Sequence, residues 1–295
     1  LQIWGLDEIA NQVYNNYSSM TEDLGISIST NQIQTLDDFI EKYDANQMSA
    51  PIGTIFQYRE KEKKEVLQSL KNKEIVIVTG KPGVGKTRLV VECIREFSTY
   101  YSYNSLCVKN NGLPIYEDLI KATEQKGKYL FFVDDANDFK ELNHILNYNL
   151  KNSDGKKFKI ILTVRDYAKK RVEEKVRQYA SYDELELLGF KDEEIEGILR
   201  SNLEINNQLY INQILKIAEG NPRMAYMAGR LALEKQNLKS VSDSSELYNA
   251  YYGSFVEDAL GKDINLCFSA GVLSIMNTIS LDNLSKIQPI IDDYG

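Results

Sequence analysis

Residues 80–87 read GKPGVGKT and match G-x-x-x-x-G-K-[ST] without a gap. What stands on either side decides the fold. Ahead lies EIVIVT, residues 74–79, a short apolar and β-branched run of strand character. Behind lies RLVVECIREF, residues 88–97, whose apolar residues recur at helical spacing. Strand, glycine loop and helix is the order that a phosphate-binding loop needs. Gly80, Gly83 and Gly85 permit φ > 0 and close approach to phosphate oxygens, so that consecutive N–H groups and the helix N-terminus face the anion. Pro82, Val84 and Arg88 complete the candidate cradle around them. Lys86 is expected to reach the β- and γ-phosphates, and the Thr87 hydroxyl to ligate Mg²⁺. A plain glycine turn between strand and helix is the competing explanation, and a bound nucleoside triphosphate is the favoured one.

Reading outward, strand and helix patterns alternate. Residues 105–109 are a short strand candidate, residues 115–125 are helix-like, and KYLFFVDD at 128–135 is an apolar strand ending in two carboxylates. A helix through Phe139, Leu142, Ile145 and Leu146 follows, then FKIILTVRD at 158–166, another strand that ends in a polar cluster. Such alternation indicates an α/β fold with a parallel sheet flanked by helices, in which ligands lie beyond the carboxyl ends of the strands. All three chemical clusters, at 80–87, 134–135 and 163–166, fall at those ends. Asp134 is the candidate metal ligand and Asp135 the candidate general base or water-positioning group. Arg165 stands level between two readings, a contact to the γ-phosphate or a structural pair with Asp166. Thr163 carries less signal, because β-branched residues are ordinary in strands.

From residue 185 helical patterns dominate, at 192–200, 209–218 and 223–235, and a helical lid is expected over 185–240. Between two of these patterns stands Gly220-Asn221-Pro222-Arg223, for which a C-cap glycine and a proline at the next helix start suffice. The functional alternative places Pro222 against an adenine. The remaining divisions expected are a polar helical linker or domain tail at 1–49, the nucleotide-binding domain at 50–184, and a further partial domain at 241–295. The run from Lys169 to Arg177 mixes signs with Val172 and Val176 four apart, which reads as a solvated amphipathic helix more readily than as a source of an arginine finger from Arg171. Tyr100, Tyr101 and Tyr103 lack interleaved basic residues in the sequence and read as a partly buried edge rather than a base-stacking surface.

Composition narrows the class. The 295 residues are 43% hydrophobic and 26% charged, with a net charge of −8, which gives no overall drive toward nucleic acid. No apolar run approaches the length of about 20 residues that spans a bilayer, and no signal segment opens the sequence, so a cytoplasmic protein without membrane contact is expected. Three scattered cysteines and the lone His144 argue against disulfides and zinc. The chain opens on Leu1 and stops just after a helical pattern, as expected of a piece of something larger.

In combination these motifs resemble the signal-transduction ATPases with numerous domains, the STAND branch of the AAA+ P-loop ATPases, which includes bacterial antiviral sensors and NB-ARC-like immune proteins. YREKE at 58–62 resembles the family's leading Gly-Arg-Glu motif, with Tyr58 in place of glycine; GKPGVGKT is similar to its Walker A and FFVDD to its Walker B. ILTVRD resembles the sensor strand that ends in arginine, and Gly220-Asn221-Pro222 the Gly-x-Pro of the lid. The final segment resembles the start of a winged-helix domain, and residues 1–9 the tail of a Mrr-like nuclease domain. The resemblance implies an ATP/ADP and Mg²⁺ switch with Arg59 and Pro222 at the nucleotide between the α/β domain and the lid. It also implies slow hydrolysis, self-association on activation, a trigger protein recognised by a C-terminal domain, and an upstream effector. A motor or loader AAA+ ATPase and a STAND transcription regulator are the alternatives.

Overall fold

In the computed structural model, residues 32–45, 51–52, 55–110, 114–151, 155–235 and 246–247 are described. The helical pattern at residues 6–17, the Mrr-like resemblance and the winged-helix resemblance lie outside them. The chain divides into two units, Leu1–Gly189 and Phe190–Gly295.

The first unit is built on the run that the phosphate loop interrupts. Strands β1 (Ile33–Thr35), β2 (Ile75–Gly80), β3 (Asn104–Val108), β4 (Lys128–Val133), β5 (Lys157–Arg165) and β6 (Tyr182–Glu186) form one sheet in the order β1-β3-β4-β5-β2-β6. All neighbours are parallel except β1, which runs antiparallel to β3. The central strands are near-continuously apolar because both faces are covered. On one face Ile75, Ile77, Phe131, Val133, Ile160 and Leu162 pack with Leu119 of α4 (Tyr116–Ala122), Ile145 of α5 (Leu142–Lys151) and Val172 of α6 (Lys169–Val176). On the other, Val76, Val78, Leu130, Phe132 and Ile161 meet Phe39 of α1 (Leu36–Ala45), Leu70 of α2 (Glu60–Asn72) and Ile94 of α3 (Lys86–Tyr101). The alternation follows from the period of two along a strand.

Two edge strands escape the sequence patterns. β1 is three residues long, and β6, with sequence YDELE, is mostly polar. β6 crosses the 184/185 point at which the helical region was expected to begin. It pairs with β2 from Ile75↔Tyr182 to Thr79↔Glu186, and its charges suit an edge that must not recruit another strand.

The second unit is helical among its described residues. α7 (Asp192–Leu203), α8 (Gln208–Ala218) and α9 (Pro222–Lys235) bury Ile195, Leu199, Ile211, Ile214, Ala225 and Ala228 together. Asn221 caps α9: its Oδ1 accepts from the N–H groups of Arg223 at 3.1 Å and Met224 at 3.3 Å, and Pro222 takes the first helical position, where no donor is needed. Gly220 has φ +77, and a β-carbon there would stand 2.6 Å from Phe190 O. The Phe190 N–H also donates to Gly220 O at 2.8 Å. The Gly-Asn-Pro motif is thus a packing and capping device within this unit.

Candidate active site

β2 ends at Gly80, and the chain turns through the glycine loop into α3. Gly83 and Gly85 have φ +81 and +95, the left-handed region that side chains disfavour. The first helical bond of α3 runs from the Leu89 N–H to Gly85 O at 3.0 Å, so Lys86 and Thr87 lie ahead of the helical ladder, with their N–H groups at the helix N-terminus. The Lys86 ammonium reaches back across the loop, donating to Gly80 O at 2.9 Å and Lys81 O at 3.0 Å. Burial pushes its pKa below the usual lysine range, against the pull of Asp135 and Asp134.

β5 lies between the loop strand β2 and the acid strand β4, and this order makes Thr163 the centre of the site. Its hydroxyl donates to Asp134 Oδ1 at 2.6 Å and accepts from the Asp135 N–H at 2.8 Å, while its carbonyl takes the Ala136 N–H at 2.8 Å. The Thr87 hydroxyl donates to the same Asp134 oxygen at 2.8 Å. Crowding by protein atoms raises the Asp134 carboxyl above the ordinary carboxylate range, and donation from Thr163 and Thr87 only partly offsets it. By sequence Thr163 carries little signal, because a β-branched residue is ordinary in a strand; two residues before the end of β5, it reaches the acids only because the strand order sets β5 beside β4.

Asp135 has φ +46, a left-handed turn that Asp tolerates better than most residues. Its carboxylate meets Arg165: Nη2 stands 2.9 Å from Oδ2, and Nε 3.4 Å from Oδ1. The hydrogen bond to Asp135 holds the guanidinium more firmly protonated than usual. Neither sequence reading of Arg165 named this partner, because Asp135 is thirty positions away while Asp166 is adjacent. Asn137, buried in the same turn, accepts from the Arg165 N–H through Oδ1 at 3.2 Å, and its carbonyl takes Arg171 Nη2 at 2.6 Å. Arg171 is therefore turned inward onto the acid turn, while Val172 and Val176 bury the inner face of α6, as the amphipathic reading requires.

Arg59 is buried at the loop's flank. Nη1 pairs with Glu62 at 2.7 Å, and Nη2 donates to Leu188 O and, at 3.5 Å, to Val84 O of the loop. Tyr58 before it has φ +61, which explains why the resembling motif favours glycine there. The Arg88 side chain follows its own helix to Glu92 at 3.2 Å and lies over the Phe56 ring at 5.9 Å. Pro82 is exposed on the loop. Pro222 belongs to the helical unit and is described there.

The donor set suits a hard divalent ion. Thr87 Oγ1 and Asp134 Oδ1 are already adjacent, and Mg²⁺ takes one or two protein oxygens and completes its shell from phosphate and water. Among the described residues there is no group of three or more His, Cys, Asp or Glu side chains that would hold a metal unaided. No described helix is long and apolar enough to cross a membrane.

Among solved structures, a Thermotoga maritima RuvB variant is 17% identical, with 79% of this chain and 83% of that chain covered at a TM-score of 0.48. Aeropyrum pernix ORC1, solved in complex with DNA, is 13% identical over 85% of this chain and 78% of that one, at a TM-score of 0.50. At 13% identity the likeness to ORC1 is one of fold, an α/β P-loop NTPase architecture. No curated protein matches the chain by sequence. A family model described as Novel STAND NTPase 3 matches residues 58–205, from Tyr58 and Arg59 through the loop, both acids and Arg165 into the helical unit, which is half of the chain. The chain belongs to that family of STAND NTPases.

Proposed function

We propose that the chain is an ATP-binding, slowly hydrolysing regulatory switch. The observation that carries this reading is the closed Asp135–Arg165 pair beside the connected Thr87–Asp134–Thr163 set. The metal-binding corner is pre-organised, while the two groups suited to catalysis engage each other. Lys86 would hold the β- and γ-phosphate oxygens together with the loop N–H groups, and Arg59 fixes the flank of the loop through Val84 O. Thr87 and Asp134 would hold Mg²⁺, which supplies charge neutralisation for the transferring phosphoryl group. Asp135 would orient the attacking water once Arg165 leaves it, and Arg165 would then meet the γ-phosphate oxygens. A base that must first lose an ion pair gives a slow enzyme, which suits a timer or gate better than a motor.

We extend this to a larger protein in which nucleotide exchange or hydrolysis permits self-association and releases an effector, in antiviral defence within the cytoplasm. A trigger protein would be read by a further domain. The family membership and the resemblance of the motifs support this reading. The test is Lys86→Ala: it should abolish ATP binding and ATP-dependent assembly, measured by equilibrium titration and light scattering. Unchanged affinity and assembly would remove the site assignment. Rapid steady turnover of the unmodified chain without any trigger would point to a motor instead.

A further inference from the structure

At the end of the sheet opposite the phosphate loop, where β3, β4 and β5 begin, the fold assembles what the sequence keeps apart. Lys128 Nζ lies over the Tyr103 ring at 5.6 Å and donates to Tyr101 O at 2.9 Å, and Lys71 Nζ lies over the Tyr101 ring at 5.8 Å. Tyr101 packs on Tyr100 with ring centroids 4.7 Å apart, and Tyr100 itself is 78% exposed. Lys157 is the register partner of Lys128 on β5 and presents its side chain on the same face of the sheet. The interleaved basic residues missing from the tyrosine run therefore come from α2, β4 and β5. Tyr101 and Tyr103 are half-buried against the core, as the partly buried edge requires, and only Tyr100 stands out from it.

The lysines at this end of the sheet are not all paired among the described residues. Lys73 is answered by Asp183 at 3.7 Å, and Lys159 by the field of Glu74. Among the described residues none of Lys71, Lys126, Lys128 and Lys157 forms an ion pair. Two like charges directly opposite on neighbouring strands cost stability, in a chain whose net charge is −8. A polyanion would relieve that repulsion. The exposed Tyr100 ring, packed on the Tyr101 ring that Lys71 covers, adds a feature that a flexible acidic peptide does not use and a nucleobase does.

We propose that Tyr100, Tyr101 and Tyr103 with Lys71, Lys128 and Lys157 form a binding surface for single-stranded nucleic acid. Backbone phosphates lie along the lysines and a base stacks on Tyr100. The surface lies the length of the strands away from the phosphate loop, roughly 20 Å, so it is separate from the nucleotide site and does not depend on the reading of that site.

The experiment is fluorescence anisotropy of a labelled oligothymidylate with the intact chain across a salt series. The three lysines predict that log affinity falls against log salt with a slope of about −2. Tyr100→Ala should weaken binding about tenfold, and the double change Lys71→Glu with Lys157→Glu should abolish it. All these side chains are at the surface, so circular dichroism should be unchanged, and Lys86→Ala should bind the oligonucleotide as the unmodified chain does. The proposal is overturned by absence of binding at low salt, or by indifference to both surface variants. Equal competition by a duplex or by polyglutamate also overturns it, since either would mean that charge alone is read.

Discussion

Arg165 closes on Asp135 and not on its sequence neighbour Asp166, with Nη2 at 2.9 Å from one carboxylate oxygen and Nε at 3.4 Å from the other. Both side chains keep a third or more of their surface exposed, so the pair contributes about 0–1 kcal/mol to stability. Its consequence is catalytic. Arg165→Ala should leave the melting temperature almost unchanged and ATP affinity within about threefold, yet lower single-turnover hydrolysis by about a hundredfold through loss of charge stabilisation. Asp135→Asn should cost a similar factor, and the double variant should be little worse than either, because the two act as a unit. Additive losses would show that they act separately.

Thr163 is fully buried and joins both acids. Thr163→Val keeps the shape and removes the hydroxyl, leaving the Asp135 N–H unanswered. The expected loss is about 2 kcal/mol of stability in urea titrations. Magnesium-dependent ATP binding should fall at least about tenfold, with a smaller change when the metal is chelated. Thr163→Ser, which restores the hydroxyl, should recover most of the metal-dependent affinity. Failure of serine to do so would assign the valine effect to packing.

Asp134 has a folded-state pKa raised by desolvation. A raised value means that the group's stabilising contribution is complete below its unfolded pKa and is lost as pH rises through the folded one. Without Mg²⁺, Asp134→Asn should therefore melt above the unmodified chain at pH 8, and this advantage should shrink on acidification toward the ordinary carboxylate range. Adding Mg²⁺ and nucleotide should reverse the order, because only the carboxylate gains binding energy. A variant less stable than the parent at every pH would show that the hydrogen bonds outweigh the desolvation.

In the helical unit, Gly220→Ala meets both a left-handed backbone and the Phe190 carbonyl at 2.6 Å. A cost of about 3 kcal/mol is expected from the two together, seen as an early transition in denaturant. Hydrogen exchange should place that transition in α7 to α9, with the sheet retaining its protection. Protection lost uniformly would mean that the two units unfold together.

The sequence by itself determined the phosphate loop, the acid pair, the parallel α/β class and most helices. Each of these is local: a glycine spacing, an apolar run that ends in carboxylates, a period of 3.6 that binds one helix to one face. The strong strands β2, β4 and β5 were legible because burial on both faces leaves each with a continuous apolar run, IVIV, YLFFV and IIL, ahead of its functional end. β6 was not, because an edge strand is stabilised by its neighbour's backbone and Glu184 finds its partner in Thr79 at 2.9 Å, across 105 positions. Only the tertiary structure decided which hydroxyl serves the acids, which carboxylate receives Arg165, and that lysines from three elements surround the tyrosine edge. Strand order sets these contacts. Nothing in residues 158–166 alone says that β5 runs between β2 and β4, and once it does, Thr163 must face Asp134 and Arg165 must reach Asp135.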